Sequence, residues 1–429
     1  MQNSPAVNSL SAAEQTLAAV LPGAAPDAET QTLARQAAYT WFLSGVGSWF
    51  TAFGMQGVLF SWLVVGVLQA EAEWVGIAQS ALMLPSILLV LLGGVVADRS
   101  DGRSLLIALH VVASVLSGCL VVIVANEWLS MTLLIGYALC MGSVQAFVMP
   151  ARDALLSEVA GENMLRAVAG MTLTQWLSQA LGALLAGSAR WLGIVPALCM
   201  HSLILLAGAP TLRKLPPTPP HSREGQARAR LRDILEGVYE VLASPLLRPL
   251  LLLVTMVGIG FIGPYLVVLP ILVRDYYGGD IAQLAALNMA FPIGTIFGAG
   301  TVLWYGGMRR KGLAQVLALL GGACCVGVLA FGLPFWGALL TVGLWGTSAS
   351  IFMSAGRTVF QEQARPSHRA RVLSVYTLGF MGTTGLIGAP LAGVMVDWVG
   401  PLMTCGLASG VMIVAVLCVA MFTQVTQVE

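Results

Sequence analysis

Charge is scarce in this chain. Only 10% of its 429 residues are Asp, Glu, Lys or Arg, whereas 57% are apolar. Soluble domains carry about 25% charged residues, and a soluble fold of this size needs polar cover over much of its surface. The 21 basic and 20 acidic side chains cannot supply it. With a mean hydropathy of +0.85, lipid must be the solvent for most of the surface. The chain reads as a polytopic membrane protein. A net charge of +1 gives no bulk attraction for nucleic acid.

Other absences narrow the function. None of the seven cysteines forms a C-x-x-C pair, and only Cys324 and Cys325 are adjacent. Neither a metal site nor a disulfide framework fits that spacing, so they read as small buried hydrophobes. G-x-S-x-G, H-E-x-x-H and P-loop sequences are missing, so the chain is not expected to be an enzyme or to hold a cofactor. Gly258-x-Gly260-x-x-Gly263 fits the dinucleotide fingerprint formally, but it lies inside an apolar stretch before Pro264. That placement suits a hinge or a close helix contact instead. Nothing basic precedes Leu17–Leu21, as a secretory signal would require. Residues 1–36 read as a mobile cytoplasmic tail.

What is present is a succession of apolar stretches. Roughly 20 apolar residues cross a bilayer, and the chain divides into twelve such spans. They are 38–68, 74–97, 105–125, 130–152, 166–189, 193–212, 249–273, 281–304, 313–331, 335–357, 372–395 and 401–423. The fold class expected is all-α and integral to the membrane, in two six-helix halves, 37–212 and 248–423. Between them runs a linker, 213–247, with Pro216, Pro217, Pro219 and Pro220 and then Arg223, Arg228, Arg230 and Arg232. Prolines stop the preceding helix, and Leu231–Leu242 reads as a short amphipathic helix on the membrane surface. Residues 424–429 form a C-terminal tail. With both termini in the cytoplasm, 19 of the 21 Lys and Arg fall on the cytoplasmic side, all but Arg190 and Arg274. This asymmetry satisfies the positive-inside rule.

The chain also repeats itself. An offset of 205 residues pairs Arg152 with Arg357 and Arg166 with Arg371. At 206, Gly182 and Gly187 meet Gly388 and Gly393; at 207, Trp191 and Gly193 meet Trp398 and Gly400. Two homologous six-helix halves imply a substrate cavity between them and alternating access.

The turn after the second span reads Gly94-Val-Val-Ala-Asp98-Arg99-Ser100-Asp101-Gly102-Arg103. It resembles the major facilitator superfamily signature G-x-x-x-D-R-x-G-R-[RK]. Asp101 stands at the second glycine of that signature, a variant associated with the enterobactin-exporter-like and macrolide-exporter-like branch. Pro150-Ala-Arg-Asp-Ala-Leu-Leu156 and the central Leu215-Pro-Pro loop are similar to that branch too. The resemblance implies a transporter in the inner membrane, acting on a small molecule as a monomer, with protons as a candidate coupling ion. It also implies that Asp98 clasps the cytoplasmic side. The fifth-helix proline of drug antiporters and the fourth-helix arginine of a proton relay are both missing here, with Ala183 and Ala138 in those places.

Every carboxylate lies in a tail, a loop or near a span end. Asp153, Glu158 and Glu362 sit with Arg152, Arg166, Arg357 and Arg371 at the cytoplasmic ends and look like gate ion pairs. His110 and His201 lie inside spans, where hydrogen-bonded packing is the expected role. Substrate contact then falls to neutral and aromatic groups on the spans that line the cavity in this superfamily: Trp49, Phe53 and Gln56; Met141 and Gln145; Tyr265; Trp345, Ser348 and Phe352. Gln175, Gln179, Asn288 and Tyr376 could join them from neighbouring spans. Such groups suit a bulky amphipathic ligand, and amides are costly to leave against lipid. The expected function is export of a siderophore or hydrophobic drug by proton-coupled alternating access. Facilitated movement of a lipid-like substrate and a transporter-like receptor are the alternatives.

Overall fold

The computed structural model describes the backbone of residues 28–160, 163–217, 231–305, 307–364 and 369–427. The side chains of residues 28–34, 90, 91, 95, 98, 231–235, 369 and 370 lie outside that description. Thus Asp98, most of the tail 1–36 and the linker residues Pro219, Pro220, Arg223, Arg228 and Arg230 carry no structural account.

Among the described residues twelve long helices follow the expected spans: α1 (Arg35–Val67), α2 (Ala72–Arg99), α3 (Gly102–Ala125), α4 (Met131–Val159), α5 (Met164–Gly187) and α6 (Ile194–Arg213). After the amphipathic α7 (Leu231–Ala243) come α8 (Leu247–Tyr276), α9 (Ile281–Trp304), α10 (Lys311–Leu329), α11 (Phe335–Gln363), α12 (Arg371–Val399) and α13 (Pro401–Phe422). Eleven are long and apolar enough to cross a membrane. The other is α5, which carries Thr172, Thr174, Gln175, Ser178 and Gln179. It packs along α1 and α9, and Thr174, Gln175, Ser178 and Gln179 are half-buried. The fourth and tenth helices outrun their apolar stretches to Val159 and Gln363. Apolarity marks only the part in hydrocarbon, and the backbone ladder continues beyond it.

Cysteine burial differs from expectation. Only Cys405 is buried, whereas Cys119, Cys140, Cys324 and Cys418 are exposed on the helix bundle. A thiol is apolar enough to sit against lipid, so the sequence signal of an apolar stretch does not separate core from lipid face.

The internal repeat reappears as paired packing. A Cβ on Gly182 of α5 would overlap the Thr51 carbonyl oxygen of α1, and one on Gly388 of α12 would overlap that of Gly258 in α8. Gly142 of α4 meets Leu82 of α2 in the same way, and Gly346 of α11 meets Phe291 of α9. Each contact is backbone against backbone, which only glycine allows. Gly193 and Gly400 open α6 and α13 at φ +91° and +83°. The Gly258–Ile262 stretch is a π-helical turn inside α8, packed on Gly388, so it serves close helix contact as expected.

The first six long helices meet the last six along α2–α12 and α5–α9. The end carrying the linker and α7 is called here the linker end, and its opposite the far end. Gly187 packs on Ala285, Gly393 on Ala72 and Gly76 on Ala389, so these contacts gather towards the far end.

Candidate functional site: two side-chain clusters and the end contacts

Two clusters of the expected cavity residues form, one in each group of helices. In the first, the Arg152 guanidinium of α4 donates from Nη1 to Gln175 Oε1 of α5 at 3.0 Å and from Nη2 to Asp153 at 2.7 Å. It also stands 5.5 Å over the Phe50 ring of α1. Trp49 is buried with its ring edge-on to His110 of α3 at 5.2 Å. Phe53 is half-buried and meets Phe50 edge-on at 6.1 Å.

The second cluster is an aromatic box. Trp345 of α11 meets Phe261 and Tyr265 of α8 and Phe291 of α9, at 5.9, 5.7 and 5.9 Å between centroids. Tyr265 donates its hydroxyl to Asn288 Oδ1 at 3.2 Å. That oxygen lies against Gly57 of α1, so the box borders the opposite group of helices. The sequence reading missed Phe291, although its spacing of three from Asn288 places it on the same helix face.

Other expected residues stand apart. Gln56 and Met141 are buried, and Gln145 and Gln179 are half-buried. Ser348 faces α10 at Gly321, Phe352 is buried in the core, and Tyr376 stacks edge-on against Phe360 at 5.1 Å.

The charged residues at the linker end pair within their own group of helices in the contacts described. Arg152 holds Asp153, Lys311 of α10 holds Glu362 of α11 at 2.7 Å, and Arg371 of α12 holds Glu236 of α7 at 2.6 Å. Gly94 has open space around it and Arg99 is exposed. Arg103 donates to the Arg213 carbonyl at 2.7 Å, tying α3 to the end of α6. Arg166, Arg357 and Glu158 are exposed.

The far end holds charged contacts between the two groups that sequence reasoning missed. Arg190, beyond α5, pairs with Asp280 at the start of α9 at 3.0 Å. Asp397, near the end of α12, accepts the Ala72 and Glu73 N–H groups at the start of α2, at 3.1 and 2.8 Å. A carboxylate there satisfies orphan donors and opposes the helix dipole. Arg274 of α8 donates to the Ala70 carbonyl just after α1 and to the Val65 carbonyl in its last turn, at 2.6 and 3.3 Å. Arg190 and Asp397 stand 207 positions apart, so the repeat places opposite charges at equivalent points. The available signal was that Arg190 and Arg274 are the two basic residues outside the positive-inside pattern.

Comparison with known proteins agrees with this architecture. The enterobactin exporter EntS of Shigella flexneri is 28% identical over 342 residues, covering 76% of this chain and 78% of the exporter. EntS of Escherichia coli strain SMS-3-5 gives the same figures. The crystal structure of the nucleoside transporter NupG is similar at a TM-score of 0.72 and 12% identity, covering 91% of this chain and 99% of NupG. A bacterial homologue of the human lysosomal transporter Spinster, in an inward-facing and unoccupied conformation, is similar at 0.65 and 12% identity. It covers 94% of this chain and 97% of that one. The Major Facilitator Superfamily profile matches residues 42–381, and the chain is a membrane transporter that belongs to this superfamily.

Proposed function

We propose that the protein exports an amphipathic, aromatic-bearing small molecule, a siderophore or a hydrophobic drug, in exchange for protons. The carrying observation is the box of Phe261, Tyr265, Phe291 and Trp345 with the Asn288 amide, set against α1 and without a membrane-embedded carboxylate. Stacked rings with one amide favour a large apolar ligand with few compulsory ion pairs. Similarity to the enterobactin exporter supports that substrate class. The cationic linker end lies in the cytoplasm by the positive-inside rule, which puts the far end in the periplasm and the protein in the inner membrane. The far-end contacts then describe a state closed to the outside, and the halves 37–212 and 248–423 rock about the cavity between them.

Thermal stabilisation tests the ligand class. Iron-free and ferric siderophores, lipophilic drugs and lysophospholipids are offered to purified protein. A ligand at 100 times its Kd adds about 2.7 kcal/mol to the folded state. Stabilisation by siderophores or drugs is the expected result; stabilisation by lysophospholipids alone replaces the exporter reading with that of a lipid carrier.

Two variants probe the parts. Asn288→Ala removes the acceptor of Tyr265 and should weaken a stabilising ligand about tenfold, the usual cost of a buried polar contact. Equal affinity would take the box out of the binding site. Asp98→Asn, at the linker end of α2, should slow turnover and leave affinity nearly unchanged. Wild-type turnover would leave that turn with a role in topology alone.

A further inference from the structure

A polar seam runs inside the first six helices. Ser114 of α3 and Ser202 of α6 exchange hydrogen bonds at 2.8–3.1 Å. Ser117 and His201 Nδ1 meet at 2.7 Å, and His110 Nδ1 contacts the Leu106 carbonyl at 2.8 Å. Ser48 of α1 donates to the Ile204 carbonyl at 2.5 Å. His110, Ser114 and Ser117 fall on one face of α3, within about 10 Å along its axis.

Both imidazoles are almost wholly buried, at 2% and 1% exposure; neither Nε2 makes a well-aligned hydrogen bond, and the backbone of α1 lies beside each ring, at Gly45 for His110 and Ala52 for His201. The amide nitrogen of Gln56, on the adjoining α1, is also without such a bond. A buried polar atom without a well-formed hydrogen bond is costly, and three such atoms lie along this seam. They are also the titratable groups best placed for exchange. Among residues 36–67, 104–126, 131–151 and 194–212 there is no Asp, Glu, Lys or Arg.

We infer that His201 and His110 carry the proton exchanged for substrate, which gives the proton-coupled export proposed above its carrier. An ionisable side chain at membrane depth is a functional group by default, and imidazole takes up and gives back a proton at a single ring nitrogen. The step balances simply. A proton from the periplasmic side binds the Nε2 lone pair of a neutral ring, forming imidazolium. The same N–H later gives its proton to water on the cytoplasmic side, and the ring returns to neutral.

Position along the helices sets the direction of the pair. Arg152 of α4 lines the same small cavity as His110, Trp49 and Phe50, and its partner Asp153 is exposed. Arg103 and Arg213 stand nearer the linker end of α3 and α6, joined by one hydrogen bond. Tyr137 of α4 packs on Phe60 of α1. His110 packs on Gly208, nearer the linker end than the Ser117–His201 contact. His110 is therefore the release point and His201, against Ser117, the holding point.

The test uses full-length protein in proteoliposomes with iron-free enterobactin as probe. Counterflow without a gradient reports carrier action; accumulation under an imposed pH gradient reports coupling. A gradient of about two pH units is worth up to roughly 100-fold accumulation per proton exchanged. Wild type should show both. His201→Gln and His110→Gln should keep counterflow and lose the response to the gradient. If both variants respond as wild type does, the histidines are not the carrier, although the exporter reading stands. A wild type that exchanges enterobactin but ignores the gradient overturns the assignment as well. Failure of counterflow counts against the exporter reading instead.

A second readout needs neither probe nor transport. Imidazolium quenches a neighbouring indole, and Trp49 touches His110. The Trp49 emission, taken as wild type minus Trp49→Phe, should fall on acidification from about pH 8 to about pH 3. It should stay flat in His110→Gln. A flat wild type overturns the assignment of His110 even where a variant fails to fold.

Discussion

Replacing Arg274 with Ala is expected to open the far end. Its guanidinium holds two carbonyls at the end of α1, those of Val65 and Ala70, and stays beside Asp275 on its own helix. Charge-assisted hydrogen bonds of this kind contribute about 1.5–3 kcal/mol each. Arg274 is only 19% exposed, so solvent screens it less than a surface pair. Loss of about 2 kcal/mol shifts an equilibrium between access states roughly 30-fold, since 1.4 kcal/mol is tenfold. Spin labels at Glu127 and Trp336, both exposed at the far end, report the separation once the native cysteines are replaced. A longer distance should dominate in Arg274→Ala. Asp397→Asn should act in the same direction through the start of α2, and the two shifts should add if the contacts are independent. A distance distribution unchanged from wild type would leave the far-end contacts without a role in gating.

The largest effect on folding is expected at the backbone crossings. Gly182→Val and Gly294→Val place methyl groups where the Thr51 and Gly343 carbonyl oxygens already stand. Overpacking costs about 1–3 kcal/mol when side chains can adjust. Here the obstacle is the main chain of a neighbouring helix, which must move as a unit, so the cost lies at or above the top of that range. Against a total stability of about 5–15 kcal/mol, little monodisperse protein should be recovered. Gly136→Val and Gly410→Val are the controls, because both sites are exposed and nothing lies within 4 Å of a new Cβ. Melting temperatures and gel-filtration profiles in detergent compare the four. A Gly182→Val protein that melts with wild type would mean that α1 and α5 do not approach as closely as described.

The sequence read differently at different scales. Helix number, the linker with its amphipathic α7, and the repeat at Gly182–Gly388 were legible because each depends on local apolar length or on a residue type that only one geometry tolerates. The cavity was half legible. Trp49, Arg152 and Gln175 gather in one half and Tyr265, Asn288 and Trp345 in the other, yet Ser348 turns to α10 and Tyr376 to Phe360. A period of 3.6 fixes which residues share a face, not which neighbour that face meets.

Composition and pattern alone determined that this chain crosses a membrane many times, that it is built from two related halves and that its turn after α2 belongs to a transporter signature. Those properties follow from solvent transfer and from local residue spacing, which act along the chain. Only the tertiary structure decided that Arg190, Asp280, Asp397 and Arg274 make contacts across one end, that Phe291 completes the aromatic box, and that two buried histidines share a seam with four serines. Each of these joins residues tens to hundreds of positions apart, and such proximity is set by helix packing rather than by sequence period.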